Sequence, residues 1–316
     1  MILNKLTKLV GTNIVRHRSY FAAILVALGC GVVPVGVAAV NAQALVPHAI
    51  KLNFGNLEEQ GIALARDAAQ LAQFEQYDLA LPRARLAVQL APQAYQTQAV
   101  LGSLYLRKEE YTKAIASLNT AHNLKKDNPA ILFSLGSAHL RKGDYPKAIE
   151  KIKQGLVMAP KEPTAIFDLG NAYYMSKRYD EAVVEFTRVY EIEKKFWAAT
   201  NNIGLVEYER GNPDKAVEKW EAAIKQAAEA EDKAAEPKLA LAVAFYTKGD
   251  RDKGIKAAIE ALKIDPRYGR EAFLKENLWQ DKLMADTRTM FQNPALKDSL
   301  NQSELSTKRT PTRRSP

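Results

Sequence analysis

Between Pro163 and Phe196 the apolar residues fall into two groups with helical spacing. Ile166, Leu169, Gly170 and Tyr173 stand at i, i+3, i+4 and i+7, so they share one face of a helix. Ala182, Val183, Phe186, Val189 and Tyr190 repeat the pattern, and the polar run Ser176-Lys177-Arg178 breaks the chain between the two groups. The pattern predicts a helix–turn–helix unit. Gly170 and Ala182 are small because the two helices cross there, and a larger side chain would force the backbones apart and open voids. Neither helix can bury its apolar stripe alone, so the unit needs a similar neighbour on each side.

Those neighbours occur at a fixed step. With Pro163 as position 1, equal steps lead back to Pro129, Tyr95 and Gly61 and forward to Trp197. Position 8 then holds Ala68, Gly102, Gly136, Gly170 and Gly204, and position 20 holds Ala80, Ala114, Ala148, Ala182 and Ala216. Position 17 is Tyr77, Tyr111, Tyr145, Tyr179 and Pro213, and position 24 is Ala84, Leu118, Ile152, Phe186 and Trp220. A sixth unit opens near Ala235 after four extra residues, with Gly254 in place of the usual Ala and a weaker first helix. These positions make the packing of an all-α array over residues 61–268 and carry no chemistry of their own.

The formal charge of +9 suggests nucleic acid until it is divided along the chain. Residues 1–44 carry Lys5, Lys8, Arg16 and Arg18 without an acid, and residues 303–316 carry Lys308, Arg309, Arg313 and Arg314 against Glu304. The rest holds 37 of the 45 basic and 35 of the 36 acidic residues, so the array is close to neutral and no nucleic-acid partner is expected. Cys30 is the only cysteine, which excludes an internal disulfide and a thiolate cluster. His17, His48, His122 and His139 are scattered, and no metal or cofactor is expected. The sequence holds no Gly-rich phosphate loop, nucleophile elbow or metal-ligand spacing. Glu109/Glu110 and Asp180/Glu181 fall at helix starts, where the positive helix end favours carboxylates without a catalytic role. The expectation is a protein that is not an enzyme.

The N-terminus reads as a basic flank followed by twenty uncharged residues, 21–40. As a helix these would span roughly 30 Å, the thickness of a bilayer core. Ala42-Gln43-Ala44 is a good small-x-small cleavage site. Two readings follow for residues 1–44: an uncleaved membrane anchor, favoured by the length of the flank and of the apolar run, or an export signal cut after Ala44, favoured by Gly29, Gly31, Pro34 and Gly36. In both, the basic flank stays on the cytoplasmic or stromal side and the array crosses the membrane. Lipidation at Cys30 is a weaker third option, because the residues after it remain apolar.

Residues 45–60 read as a connector. Residues 225–237, rich in Ala, Glu and Lys, should lengthen the second helix of the fifth unit until Pro237 stops it. Phe273, Leu274, Leu278, Leu283, Met284 and Met290 recur among charges at helical spacing, which predicts a capping helix over 269–300 that covers the open face of the last unit. Residues 301–316 should be a disordered basic tail.

The apolar-x2-Leu-Gly-x2-Tyr run at 166–173 with Ala182-x3-Phe186, recurring at the step that separates Pro129 from Pro163, resembles the tetratricopeptide repeat (TPR) family. The resemblance implies a right-handed TPR α-solenoid whose first helices line a concave groove for an extended segment of another protein. It places positions 2, 5, 6, 9, 12 and 13 in that groove. Asn171 and Asn202, in successive units, would then grip a peptide backbone, since one amide both donates and accepts. Tyr174, Tyr208, Phe133, Phe167, Arg107 and Arg141 would face the same groove as binding anchors. In members that bind chaperone tails, basic residues join such an Asn pair; Phe167, Glu236 and Ala240 stand at the matching places here, so that ligand is not expected. The whole layout, with a basic start, one apolar span, five or six repeats and the terminal NLWQDKLMADT, is similar to cyanobacterial membrane-bound TPR proteins that attend protochlorophyllide oxidoreductase at thylakoids. It implies a scaffold that holds a pigment-synthesis enzyme or photosystem assembly intermediates. An exported periplasmic adaptor and a carrier of small hydrophobic molecules are the other readings.

Overall fold

The computed structural model describes residues 56–309, with side chains through Ser303. The chain divides into two units, Met1–Ile50 and Lys51–Pro316, and the described residues belong to the second. The apolar run 21–40, Cys30, the cleavage site at 42–44, most of the connector and the tail beyond 309 lie outside the described residues. Fifteen α-helices and no strand are present among the described residues, and none of these helices is long and apolar enough to cross a membrane.

Twelve of the helices form six antiparallel pairs. They are α1 (Leu57–Gln73) with α2 (Tyr77–Leu90), α3 (Tyr95–Arg107) with α4 (Tyr111–Leu124), and α5 (Pro129–Lys142) with α6 (Tyr145–Met158). They continue as α7 (Pro163–Met175) with α8 (Tyr179–Ile192), α9 (Trp197–Glu209) with α10 (Pro213–Glu229), and α11 (Ala235–Thr247) with α12 (Arg251–Ile264). Helix starts coincide with the sequence repeat: units two to six begin at position 1, and every second helix begins at position 17. Only α1 departs, starting four residues before Gly61.

One turn geometry closes all six pairs. Position 15 is left-handed in each, with φ of 58° at Glu75, 62° at Glu109, 85° at Gly143, 58° at Lys177, 84° at Gly211 and 100° at Gly249. Around it two backbone bonds recur, as at Gly143 N to Leu140 O (3.0 Å) and Asp144 N to His139 O (2.9 Å). This pair of bonds satisfies carbonyls that the end of a helix leaves without partners. Three repeats carry a side chain where glycine is at ease, at a cost of about 1 kcal/mol each.

Size compensation sets the crossing within each pair. A methyl group added to Gly170 would stand 2.6 Å from the Phe186 ring, and one on Gly204 2.5 Å from Nε1 of Trp220. Gly102 faces Leu118 and Gly136 faces Ile152 in the same way. In the first and last pairs both places are alanine, Ala68 with Ala84 and Ala242 with Ala258, all fully buried. One added methyl is therefore matched by a smaller partner across the crossing, and the helices keep their distance.

Four expectations are corrected. The fifth unit's second helix ends at Glu229; the chain breaks at 230–234, and Pro237 sits inside α11. Proline is tolerated there because the first-turn N–H groups have no intrahelical partner. Residues 269–300 do not form one helix but α13 (Glu271–Glu276), α14 (Asp281–Phe291) and the start of α15 (Lys297–Arg309). Residues 301–309, expected to be disordered, continue α15. Capping of the last repeat falls to α15 and the turn Pro266–Gly269, which pack on α12, with the Ser303 hydroxyl donating to the Pro266 carbonyl. The weaker first helix expected for the sixth unit is fully formed as α11.

Two stability outcomes are expected. Gly143→Ala lowers stability by about 1 kcal/mol and Lys177→Gly raises it by a similar amount, in thermal or urea unfolding. Gly170→Ala costs about 1–3 kcal/mol by overpacking, and much less when Phe186→Ala has already cleared the space; equal costs in the two backgrounds would dissociate the crossing from this pair.

Candidate functional site

The inner face is made by the first helices of the pairs, and it divides into two halves. Over α1, α3 and α5 it is open. A groove of about 340 Å³ is lined by Ala69, Ala72, Ala99, Val100, Ser103, Arg107, Ile131 and Ser134 among others. Small side chains leave the space, and Arg107 and Arg141, at the same position in successive repeats, are exposed. At the far end of this half the Ser137 hydroxyl donates to Asp168, whose carboxyl is pushed up by burial, against the opposing pull of that hydrogen bond and of Arg141.

Over α7, α9 and α11 the face is covered by the chain itself. After α13 the backbone turns inward at Trp279 and Gln280, and α14 lies against α9 and α11. Trp279, Gln280, Leu283, Met284, Thr287 and Met290 are buried by this contact. Hydrogen bonds fix its register. The Gln280 amide donates to the Tyr174 carbonyl (2.7 Å) and accepts from the Tyr179 hydroxyl (3.2 Å). Glu209 accepts from the backbone N–H groups of Leu283 (2.9 Å) and Lys282 (3.2 Å), so a carboxylate from α9 caps the positive end of α14. The Tyr208 hydroxyl donates to Asp286 (2.6 Å), and Nε1 of Trp279 donates to Glu236 (3.0 Å). At the rim an exposed Lys177–Asp281 pair, 3.2 Å apart, contributes little.

The eight residues expected in the groove separate accordingly. Arg107 and Arg141 are on the open half. Phe133 lies against Gly155 of α6, and Phe167 packs between Phe186 and Phe196 with ring centroids at 5.6 and 5.1 Å, so both are corrected to contacts between helices. Asn171 and Asn202 do meet from successive repeats, but their amides bond to each other at 2.8 Å and both are buried. Tyr174 and Tyr208 are fully buried beside and beneath α14. No partner can reach these four while α14 is in place. The sequence did hold a signal for this cover: the apolar and polar residues of α9 are spread round the helix rather than parted into faces, and in the structure residues 199–208 are buried without a break. A helix buried all round needs neighbours on every side, and the next repeats alone supply only some of them.

Burial dominates the electrostatics of the covered half. Glu236 lies among the Trp279 indole, Asn201 and the Tyr268 hydroxyl, and burial pushes its carboxyl from the ordinary 4.5 up to about 7, although those three donors favour the ionised form. Glu209 is also raised, by burial first, with its bonds to Leu283 and Lys282 opposing. Among the described residues no lysine or arginine forms an ion pair with either, and no cluster of three or more His, Cys, Asp or Glu is arranged to hold a metal ion. A carboxyl raised in the folded state keeps a proton that the unfolded chain releases between pH 4.5 and about 7, so stability falls as pH rises through that window and levels off above it. Glu236→Gln should flatten most of this decline in urea midpoints taken from about pH 5 to about pH 8, leaving the part due to Glu209 and Asp168.

Residues 102–143 match a family model described as TPR repeat, and residues 133–196 and 201–269 match one described as tetratricopeptide repeat. No curated protein matches the chain. Among solved structures the chain is similar to the Cut9–Hcn1 hetero-tetramer of APC/C, with a TM-score of 0.57 and 16% identity over 78% of this chain and 43% of that one. It is similar to Pseudomonas aeruginosa PilF, with a TM-score of 0.55 and 14% identity over 71% and 99% of the two chains. The C-terminal part of a TPR repeat-containing protein from Cytophaga hutchinsonii gives 0.50 and 20% over 65% and 84%. At these identities the likeness concerns the fold alone. Together with the repeated turn and crossing, the family models, which between them span more than half of the sequence, show that the chain belongs to the tetratricopeptide repeat family.

Proposed function

We propose that this protein is a non-enzymatic scaffold at a membrane, and that its partner docks in the open half of the inner face, over α1, α3 and α5. The observation that carries this reading is the contrast between the two halves. One is filled by α14; the other is an unfilled groove with a floor of small and apolar side chains and Arg107 in its lining, with Arg141 exposed at the same position of the next repeat. An extended or helical segment of another protein fits such a floor. Among the described residues no acid is in ion-pair contact with either arginine, which favours carboxylates on that segment.

The N-terminal sequence supports the location. The basic flank and the twenty uncharged residues 21–40 suit a single-pass anchor, and the likeness of layout to cyanobacterial membrane-bound TPR proteins supports a role in holding a pigment-synthesis enzyme or photosynthetic assembly intermediates at thylakoids. The alternative reading, an exported periplasmic adaptor for envelope assembly, rests on the Ala42-Gln43-Ala44 cleavage site. N-terminal sequencing of the mature protein separates them, because a start at Leu45 removes the anchor.

A photo-crosslinking residue placed at Ser103 or Ser134 should yield a discrete adduct in membranes of the source cell, and the same residue at exposed Val184 on α8 should not. Arg107→Glu with Arg141→Glu should weaken capture of the identified partner by about tenfold or more while helicity and melting stay unchanged, as expected for two charged anchors. Adducts equally strong from Val184, or capture untouched by the charge reversal, would move the site away from this groove.

A further inference from the structure

The two ends of the stack are finished differently. α15 and the turn Pro266–Gly269 cover the last pair, whereas α1 packs on α2 and α3 and turns its other side to solvent. Positions 7 and 10 show what that side would carry inside the stack. In repeats two to five they are Leu101 and Leu104, Leu135 and Ala138, Leu169 and Ala172, and Ile203 and Val206, all buried. In the first repeat they are Asp67 and Gln70, both exposed, because no pair precedes them among the described residues. This end is therefore polar, as the outer face of a terminal repeat has to be. Phe74 and Leu79 depart from that rule, with 67% and 52% of their surface exposed. Repeats two to six hold Lys108, Lys142, Ser176, Arg210 and Lys248 where Phe74 stands, and Lys113, Lys147, Glu181, Lys215 and Lys253 where Leu79 stands. The first repeat alone places large apolar groups there. Beside them is a hollow of about 280 Å³ lined by Asp67, Gln70, Leu71, Phe74 and Arg83. It shares no lining residue with the open inner groove.

We propose that this end face binds the same face of a second copy of the chain and so forms a two-fold dimer. The patch is complementary to itself. α1 supplies an acid and an aromatic ring, and α2 supplies a base and an aliphatic side chain, in matching order along the pair. Asp67 and Arg83 flank the hollow, while Phe74 and Leu79 flank the turn. Arg83 and Leu79 are four residues apart and share one face of α2, where the guanidinium also donates to the Leu79 carbonyl (2.9 Å). Among the described residues neither Asp67 nor Arg83 is in an ion pair. A two-fold axis lying in the face and running between the two helices sets the α1 side of each copy on the α2 side of the other. Asp67 then meets Arg83 of the other copy and Phe74 meets its Leu79, each contact made twice. A foreign segment needs no such match between what α1 and α2 present. The contact surface is small against the roughly 20–30 residues a side of a standard interface, so the dimer is weak, with Kd on the order of 10 µM.

Sedimentation equilibrium of the full chain in a nonionic detergent tests the proposal. Between about 1 µM and about 200 µM the wild type should pass from monomer to dimer. Phe74→Lys with Leu79→Lys installs a residue type that other repeats carry at these exposed positions. It should raise Kd at least about tenfold while helicity and melting stay unchanged. Asp67→Arg sets like charges against each other at both copies of the contact and should weaken the dimer by about tenfold. Adding Arg83→Asp to that variant should restore it, as expected for two groups that meet across the interface. Arg107→Glu in the inner groove should leave the dimer intact. A chain that stays monomeric throughout removes the second copy as occupant and overturns the proposal. A dimer indifferent to Phe74→Lys with Leu79→Lys moves association to another surface, residues 21–40 included, and overturns it equally. Weakening by Asp67→Arg without rescue by Arg83→Asp refutes the two-fold pairing, and this exchange decides the matter if the double lysine variant fails to fold.

Discussion

Each pair of helices leaves part of its apolar stripe uncovered, and that deficit organises the whole repeat unit. Within a pair, Gly or Ala at position 8 lets the two backbones approach until the side chain at position 24 fills the crossing. The alanines at position 20, fully buried in every repeat that has one, belong to the same crossing, where Ala114 O and Ala148 O would stand 3.2 and 3.4 Å from a methyl group on Gly102 and Gly136, and the remaining stripe must meet the next pair. Stability is therefore shared between neighbours rather than held in one centre. The uniform left-handed turn at position 15 preserves the angle at which each second helix returns, so the same contact can be made six times.

A stack of this kind has two ends and two faces, and the chain treats them differently. At the C-terminal end, α15 and the turn at Pro266–Gly269 cover α12, and Tyr268 stacks edge-on against Phe273 at 4.9 Å to hold the exit of the chain. On the inner face the segment before that cover is spent differently: it turns back into the unit and lies along α9 and α11. The aliphatic character of α11 follows from this position. With α10 and α12 on its flanks and α14 across the inner side, it keeps only a half-buried strip of Lys238, Leu241 and Phe245 toward water.

The result is an inner face with two chemistries. Over the first three repeats it offers arginines, hydroxyls and small residues, and it is open. Over the last three it offers carboxylates and amides, and it is filled. Burial raises the acids of the filled half because no cation pairs with them directly, and their hydrogen bonds, with Lys282 near Glu209, only partly offset the loss of water.

How much of this was legible in the sequence follows from the range of the interactions involved. Helix starts at positions 1 and 17 and the start of the sixth repeat at Ala235 were readable, because they rest on contacts within one period or between adjacent periods, whereas the side chain that fills each crossing was not, since the sequence pointed to Ala182 and Phe186 is what meets Gly170. That Asn171 and Asn202 stand in successive repeats was readable for the same reason as the helix starts. What those amides do was not, since their partners and their burial depend on a segment that the chain reaches only after the last repeat. Tyr208 looked like a groove anchor until Asp286 closed over it, and Pro237 looked like a terminator until the break at 230–234 placed it in a first turn. Periodicity determined the array, because each repeat senses only its neighbours. Tertiary structure alone decided which half of the inner face stays open, because α14 could have packed on any apolar surface and its hydrogen bonds to Tyr174, Glu209 and Glu236 exist only once the repeats have brought those groups to one face.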